Sequence, residues 1–203
     1  VDICCTAVSA SLAGPIAYRP SGPEQQLMWV DRSGEPIESA AAPDAASPRM
    51  FRLSPDDRSI VMGRTTGAYQ DLWLQETARG VLQRVTFEAA NKVAPIWSPD
   101  GQRIVFGWDA NGVLDLYEKQ VDEAGNGKLL WSSGDNKGPH DWSPDGEFVL
   151  FGESKAGTLD IRALSLAEKR PVDVARTAFN EDNGRFSPDG RFVAYQSNET
   201  GKD

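Results

Sequence analysis

His140, the only histidine of the chain, stands beside Asp141, and an imidazole oriented by a carboxylate is a general base. Adjacent residues of a strand point to opposite faces, so Asp141 is not expected to hydrogen-bond the ring, and no Gly-x-Ser-x-Gly turn supplies a nucleophile. A partly buried or cavity-lining His140 is the reading these residues favour. Asp71, Asp115 and Asp160 recur at intervals of 44 and 45 residues, with Asp109-Ala-Asn111-Gly112 near the second of them. Calcium takes six or more oxygens converging from one loop, whereas these acids come one at a time, which suits capping of a turn before a strand. Cys4 and Cys5 are adjacent, too close for an unstrained bridge, and lack the second pair of ligands that zinc requires. No catalytic group, cofactor or metal site is expected.

These residues are positioned by a repeat. Ser-Pro-Asp-Gly or a near copy begins at Ser54, Ser98, Ser143 and Ser187, spacings of 44, 45 and 44. Each copy follows a large apolar residue (Leu53, Trp97, Trp142, Phe186). Apolar residues then fall six and eight positions after each Ser (Ile60 and Met62, Ile104 and Phe106, Val149 and Phe151, Val193 and Tyr195), the two-residue step of a strand. The three recurring aspartates each open an apolar run that reads as a third strand, after a hairpin glycine at Gly67, Gly112 or Gly157. Shorter fourth strands are predicted near 82–87, 128–132 and 171–176. Proline presets φ in the Ser-Pro-Asp-Gly turn, aspartate bonds back to nearby amides and glycine takes the left-handed position, where the first copy has Asp57.

Four-stranded sheets with two apolar faces must stack, and units of about 40 to 45 residues that do so radially are propeller blades. The predicted fold is all-β, a partial β-propeller. Three full blades span roughly 47–182, with partial blades at both ends and an irregular segment at 1–13 before a propeller domain at 14–203. Ile16, Tyr18 and Trp29 fit strands two to four of the amino-terminal blade, and 183–196 fits strands one and two of the last. Leu53, Trp97, Trp142 and Phe186 are expected to fill the gaps between blades.

With 39% hydrophobic residues, 19 glycines and 13 prolines, the composition suits short strands and turns. A formal charge of −9, with the basic residues scattered among more numerous acids, opposes binding to nucleic acid. No stretch reaches the roughly 20 apolar residues needed to span a bilayer. The opening VDICCTAVSASLAG lacks a basic region and reads as chain interior, not as a signal peptide.

The pattern Trp97-Ser-Pro-Asp-Gly-x-x-Ile104-x-Phe106 followed by Asp115-Leu-Tyr resembles the TolB-type propeller repeat, a relative of the WD repeat. Longer phrases, from Leu27-Met-Trp-Val-Asp-Arg-Ser-Gly and Val85-Thr-Phe-Glu-Ala-Ala-Asn to Arg185-Phe-Ser-Pro-Asp-Gly-Arg-Phe-Val-Ala-Tyr, are similar to the propeller that follows serine/threonine kinase domains in some bacteria. The chain contains no kinase Gly-rich loop or His-Arg-Asp segment, so no kinase activity carries over. The resemblance implies part of a six-bladed ring, expected here as an open arc of about four blades with closure into a four-bladed ring as the alternative, and a location outside the cytoplasm.

It further implies a non-catalytic module that binds protein or peptide partners, the sensor or scaffold part of a larger bacterial protein. The alternative is the propeller of a prolyl-oligopeptidase-type serine peptidase without its hydrolase domain. Propellers bind partners where first strands converge on the central channel. Here those positions are Arg49, Arg52, Lys92, His140, Asp141, Asn180, Glu181, Asp182 and Arg185. The uncovered strand edges of an arc predict self-association.

Overall fold

The computed structural model describes residues 8–10, 16–18, 27–39 and 49–201. They build four four-stranded antiparallel sheets and one two-stranded sheet, each formed by strands consecutive in sequence. Blade 1 comprises β1 (Val8–Ala10), β2 (Ile16–Tyr18), β3 (Met28–Val30) and β4 (Pro36–Ser39). Blade 2 comprises β5 (Arg49–Leu53), β6 (Ser59–Thr66), β7 (Tyr69–Glu76) and β8 (Leu82–Arg84). Blade 3 comprises β9 (Lys92–Trp97), β10 (Arg103–Trp108), β11 (Asp115–Gln120) and β12 (Lys128–Trp131). Blade 4 comprises β13 (Asn136–Trp142), β14 (Phe148–Lys155), β15 (Thr158–Ser165) and β16 (Arg170–Ala175), and blade 5 comprises β17 (Glu181–Phe186) and β18 (Val193–Ser197).

The first sheet corrects the predicted boundary. β1 lies inside the segment expected to be irregular and pairs with β2, Ser9 opposite Ala17, so blade 1 has a first strand and is complete. The Ser-Pro-Asp-Gly motif had disappeared from that repeat, and with it the sequence marker of its first strand. Cys4 and Cys5 lie outside the described residues.

The turns follow the chemistry of their residues. Each motif serine donates its hydroxyl to the aspartate two positions on and accepts the amide five positions on: Ser143 Oγ lies 2.5 Å from Asp145 Oδ1 and 2.8 Å from the Phe148 amide. The same aspartate oxygen accepts the Glu147 amide at 2.9 Å. Asp57 takes φ 60° where Gly101, Gly146 and Gly190 take 69°, 78° and 70°, so the substituted turn keeps its left-handed residue.

Cores lie between blades. Val61 of blade 2 packs with Trp97, Ile104 and Phe106 of blade 3, and Val105 of blade 3 packs with Trp142, Val149 and Phe151 of blade 4. Phe186 and Val193 of blade 5 lie against Leu150 and Ile161 of blade 4. Both faces of β6, β10 and β14 are therefore covered, which is why alternate residues such as Val61, Val105 and Leu150 are as buried as the residues flanking them. Trp97 and Trp142 fill junctions as expected, while Leu53 and Phe186 are partly buried there. Among the described residues β18 bonds only to β17, no ladder joins blade 5 to blade 1, and the sheets form an open arc. No helix among them is long and apolar enough to cross a membrane.

Candidate functional site

Each first strand from β5 onward carries a bulge at one register. Two residues oppose one on the neighbouring strand: Met50 and Phe51 against Met62, Ala94 and Pro95 against Phe106, Pro139 and His140 against Phe151, and Asn183 and Gly184 against Tyr195. The leading residue is left-handed in three of them, with φ of 49° at Met50, 50° at Ala94 and 56° at Asn183. Pro139 occupies the fourth position, and its ring forbids that conformation. A bulge turns the strand and re-aims the side chains after it, so these kinks, repeated around the arc, shape its inner wall.

Along that wall lies a pocket of about 290 Å³. Met50, Val93, Leu114 and Leu159 supply apolar surface, Arg52, Asp182 and Arg185 supply charge, and His140 supplies a polar ring. His140 reaches across the junction of blades 4 and 5: its Nε2 lies 3.0 Å from Asp182 Oδ1, and its Nδ1 accepts the Gly184 amide at 3.3 Å. The orienting carboxylate is therefore Asp182, from the next blade, and not the adjacent Asp141. Both ring nitrogens are engaged, and the hydrogen bond from His140 is the main reason the Asp182 carboxyl is held below its ordinary range, against the opposing effect of burial. Gly152 makes room for this ring, because a Cβ there would stand 3.0 Å from His140 Cε1 and Nε2.

Arg52 and Arg185 meet at the same wall from blades 2 and 5. Burial, then the Arg185 charge, pull the Arg52 guanidinium down to about 10, opposed by Asp141. Asp141 in turn is raised by burial, against the Phe186 amide it accepts at 2.8 Å and the charges of Arg185 and Arg52. Arg185 Nη1 donates to the His140 carbonyl, and Arg52 Nη1 donates to the Phe51 carbonyl at 3.0 Å. The two guanidiniums stand among the Asp141 and Asp182 carboxylates, so the wall presents charged donors and acceptors side by side to an incoming polar group.

Four of the nine expected partner-binding residues, Arg52, His140, Asp182 and Arg185, line the pocket, and Asp141 sits beside it with Arg52 in an adjoining cleft of about 190 Å³. Three others lie elsewhere in the structure. Lys92 and Glu181, at 0% and 1% exposure, are buried in blade junctions. Asn180 clamps neighbouring strands, accepting the Leu159 amide at 3.0 Å while its own amide donates to Asn198, and Asn91 and Asn136 hold the preceding junctions in the same way. The Arg49 side chain lies outside the described residues. Met50, Ala94 and Asn183 were missed, although all sit four residues before a motif serine, a register that identifies them.

Two of the recurring aspartates, Asp71 and Asp115, make ion pairs across blade junctions, not turn caps. Asp71 Oδ1 lies 3.2 Å from Lys92 Nζ and Asp115 Oδ1 2.8 Å from Lys137 Nζ, each lysine coming from the next blade. Among the described residues no three His, Cys, Asp or Glu side chains converge as a metal-ligand group.

The sequence profile of the TolB beta propeller domain matches residues 32–203. The chain belongs to the TolB beta propeller family. No curated protein is significantly similar in sequence. Among solved structures, a putative TolB from Agrobacterium tumefaciens is similar at 20% identity and a TM-score of 0.78, over 94% of this chain and 69% of that one. TolB from Acinetobacter baumannii is similar at 16% identity and a TM-score of 0.76, over 94% of this chain and 48% of that one. A prolyl endopeptidase structure matches at 15% identity and a TM-score of 0.71, with 96% of this chain covering 32% of that one. At these identities the likeness establishes the fold, and the TolB-type chain spans from 32% to 69% of these proteins' length.

Proposed function

We propose that this TolB-type propeller is a non-catalytic binding module whose inner wall takes a short extended peptide bearing a carboxylate, as the sensor or scaffold part of a larger bacterial protein. The observation that carries this reading is the meeting of Arg52 and Arg185 beside an apolar pocket, with the Arg52 guanidinium depressed by burial and by its neighbour. Two half-buried guanidiniums aimed at one pocket can donate to a ligand carboxylate, and hydrogen bonds to charged groups contribute about 1.5–3 kcal/mol each. The apolar lining of Met50, Val93, Leu114 and Leu159 suits alternate side chains of an extended peptide.

Fluorescence anisotropy with capped hexapeptides, acidic and neutral versions of the same sequences, tests it. Acidic peptides bind, and Arg52→Gln or Arg185→Gln weakens them by about ten- to hundredfold while leaving neutral peptides unaffected. Equal binding of both peptide sets, or no change in either variant, refutes it. The competing reading, a propeller that serves a prolyl-oligopeptidase-type peptidase, is supported by the fold likeness alone. It requires an α/β-hydrolase domain in the same reading frame, whereas the sensor reading is strengthened by an upstream kinase domain.

A further inference from the structure

Blade junctions here use a buried cation. Lys92 places Nζ 3.2 Å from Asp71 Oδ1, 3.0 Å from the Ala90 carbonyl and against the Glu88 carbonyl. One repeat later Lys137 places Nζ 2.8 Å from Asp115 Oδ1 and 2.6 Å from the Asp135 carbonyl. Both lysines are almost wholly shielded from water. One repeat further, Asp160 stands in the aspartate position, but the residue in the lysine position is Glu181. The two carboxyl groups are 5% and 1% exposed, and Asp160 Oδ1 and Glu181 Oε2 are buried with no hydrogen-bond partner.

Their other oxygens are engaged. Asp160 Oδ2 lies 3.3 Å from Arg176 Nε, and Glu181 Oε1 accepts the Thr177 hydroxyl at 2.5 Å. Around them Glu153 accepts Arg162 and Ser133, while Asp173 pairs with Arg162 and Arg176. Around Asp160 the carboxyl groups of Glu181, Glu153 and Asp173 gather with Arg176 and Arg162, four acidic groups to two cations, and the arginines pair with Glu153, Asp160 and Asp173. An uncompensated buried carboxylate is costly, and two orphaned oxygens in one junction require a proton or a cation.

We propose that Asp160 and Glu181 hold a calcium-type divalent cation in the position that lysine ammonium groups occupy at the two preceding junctions. The local deficit of two positive charges matches a divalent ion. Carboxylate, carbonyl and water oxygens are the ligands calcium accepts, in flexible geometry. The carbonyls that meet Lys92 belong to residues two and four positions before it, and the same register at Glu181 falls on Phe179 and Thr177.

Calorimetric titration of the metal-stripped 203-residue chain with calcium, together with thermal unfolding in chelator and in millimolar calcium, tests the site. One ion binds per chain, and Tm rises by about 5–10 °C when calcium exceeds its Kd a hundredfold. Glu181→Lys, which restores the lysine of the other junctions, loses calcium binding and has a chelator-insensitive Tm no lower than that of the calcium-free parent. Glu181→Gln and Asp160→Asn retain the backbone and weaken binding at least tenfold. Absence of saturable calcium binding overturns the proposal, as does binding undiminished in these variants or a Tm that responds to acid and not to calcium. Peptide binding at Arg52 and Arg185 is unaffected by any of these results, so the two proposals stand or fall separately.

Discussion

Replacing Lys137 with methionine removes the ammonium from the junction of blades 3 and 4 while nearly preserving the volume of the side chain, so the change isolates charge from packing. Lys137 is 1% exposed and Asp115 7%, with the ammonium 2.8 Å from the carboxylate. In the variant, Asp115 keeps only the Ser133 amide, 3.4 Å away, and the Asp135 carbonyl loses its donor. Breaking a buried pair from one side costs about 3–5 kcal/mol, whereas removing both charges costs much less. For a chain of this length each kcal/mol shifts Tm by about 2–4 °C, so Lys137→Met lowers Tm by about 6–20 °C. Adding Asp115→Asn recovers part of that loss, with a coupling of about 1–3 kcal/mol in a double-mutant cycle. Equilibrium urea unfolding of the parent, both single variants and the double variant, followed by tryptophan fluorescence and circular dichroism, gives all four corners, and coincident transitions license the bookkeeping. A cost of Lys137→Met below about 1 kcal/mol, or strict additivity, would mean that the junction is held by Val105, Trp142 and Phe151 alone and that the repeated ion pair adds no stability.

Gly184→Ala places a Cβ 2.6 Å from Leu150 Cδ2 in the core between blades 4 and 5, and chemical denaturation is expected to show a loss of about 1–3 kcal/mol from overpacking. The Asp145 carboxyl is held below its ordinary range chiefly by the Ser143 hydroxyl. A depressed folded value contributes stability that is complete above the unfolded value of about 3.9 and is lost as pH falls through the folded value; Ser143→Ala therefore moves the Asp145 titration upward toward that unfolded value, as carbon-detected NMR will show. Phe192, 65% exposed, occupies the register of Phe148, which packs against the core that blade 4 shares with Phe186 and Val193 of blade 5. Sedimentation of the chain is expected to reveal concentration-dependent self-association that Phe192→Asp weakens, and a strictly monomeric parent at high concentration contradicts this.

In the repeats that keep the Ser-Pro-Asp-Gly motif, the strands and turns were legible from the amino-acid order. The spacing of the four serines determined the repeat, the two-residue apolar step placed the second strands, and the turn chemistry anticipated a left-handed Asp57. Trp97 and Trp142 declared themselves junction residues because their place relative to the turn does not vary. Blade 1 was underestimated where its motif is lost, and β1 appeared only as a strand paired with β2.

What the tertiary structure decided are contacts between residues one or more repeats apart. Asp71 with Lys92, His140 with Asp182, and Arg52 with Arg185 and Asp141 lie on different blades, and periodicity along one strand carries no information about the angle at which the next blade presents its side chains. That angle follows from sheet twist, from the packing of whole apolar faces and from the bulges at Met50, Ala94, Pro139 and Asn183. The sequence thus settles the blade, a short-range object governed by alternation and turns. The rotation between blades settles the wall and its junctions, because only there do distant charges leave water together.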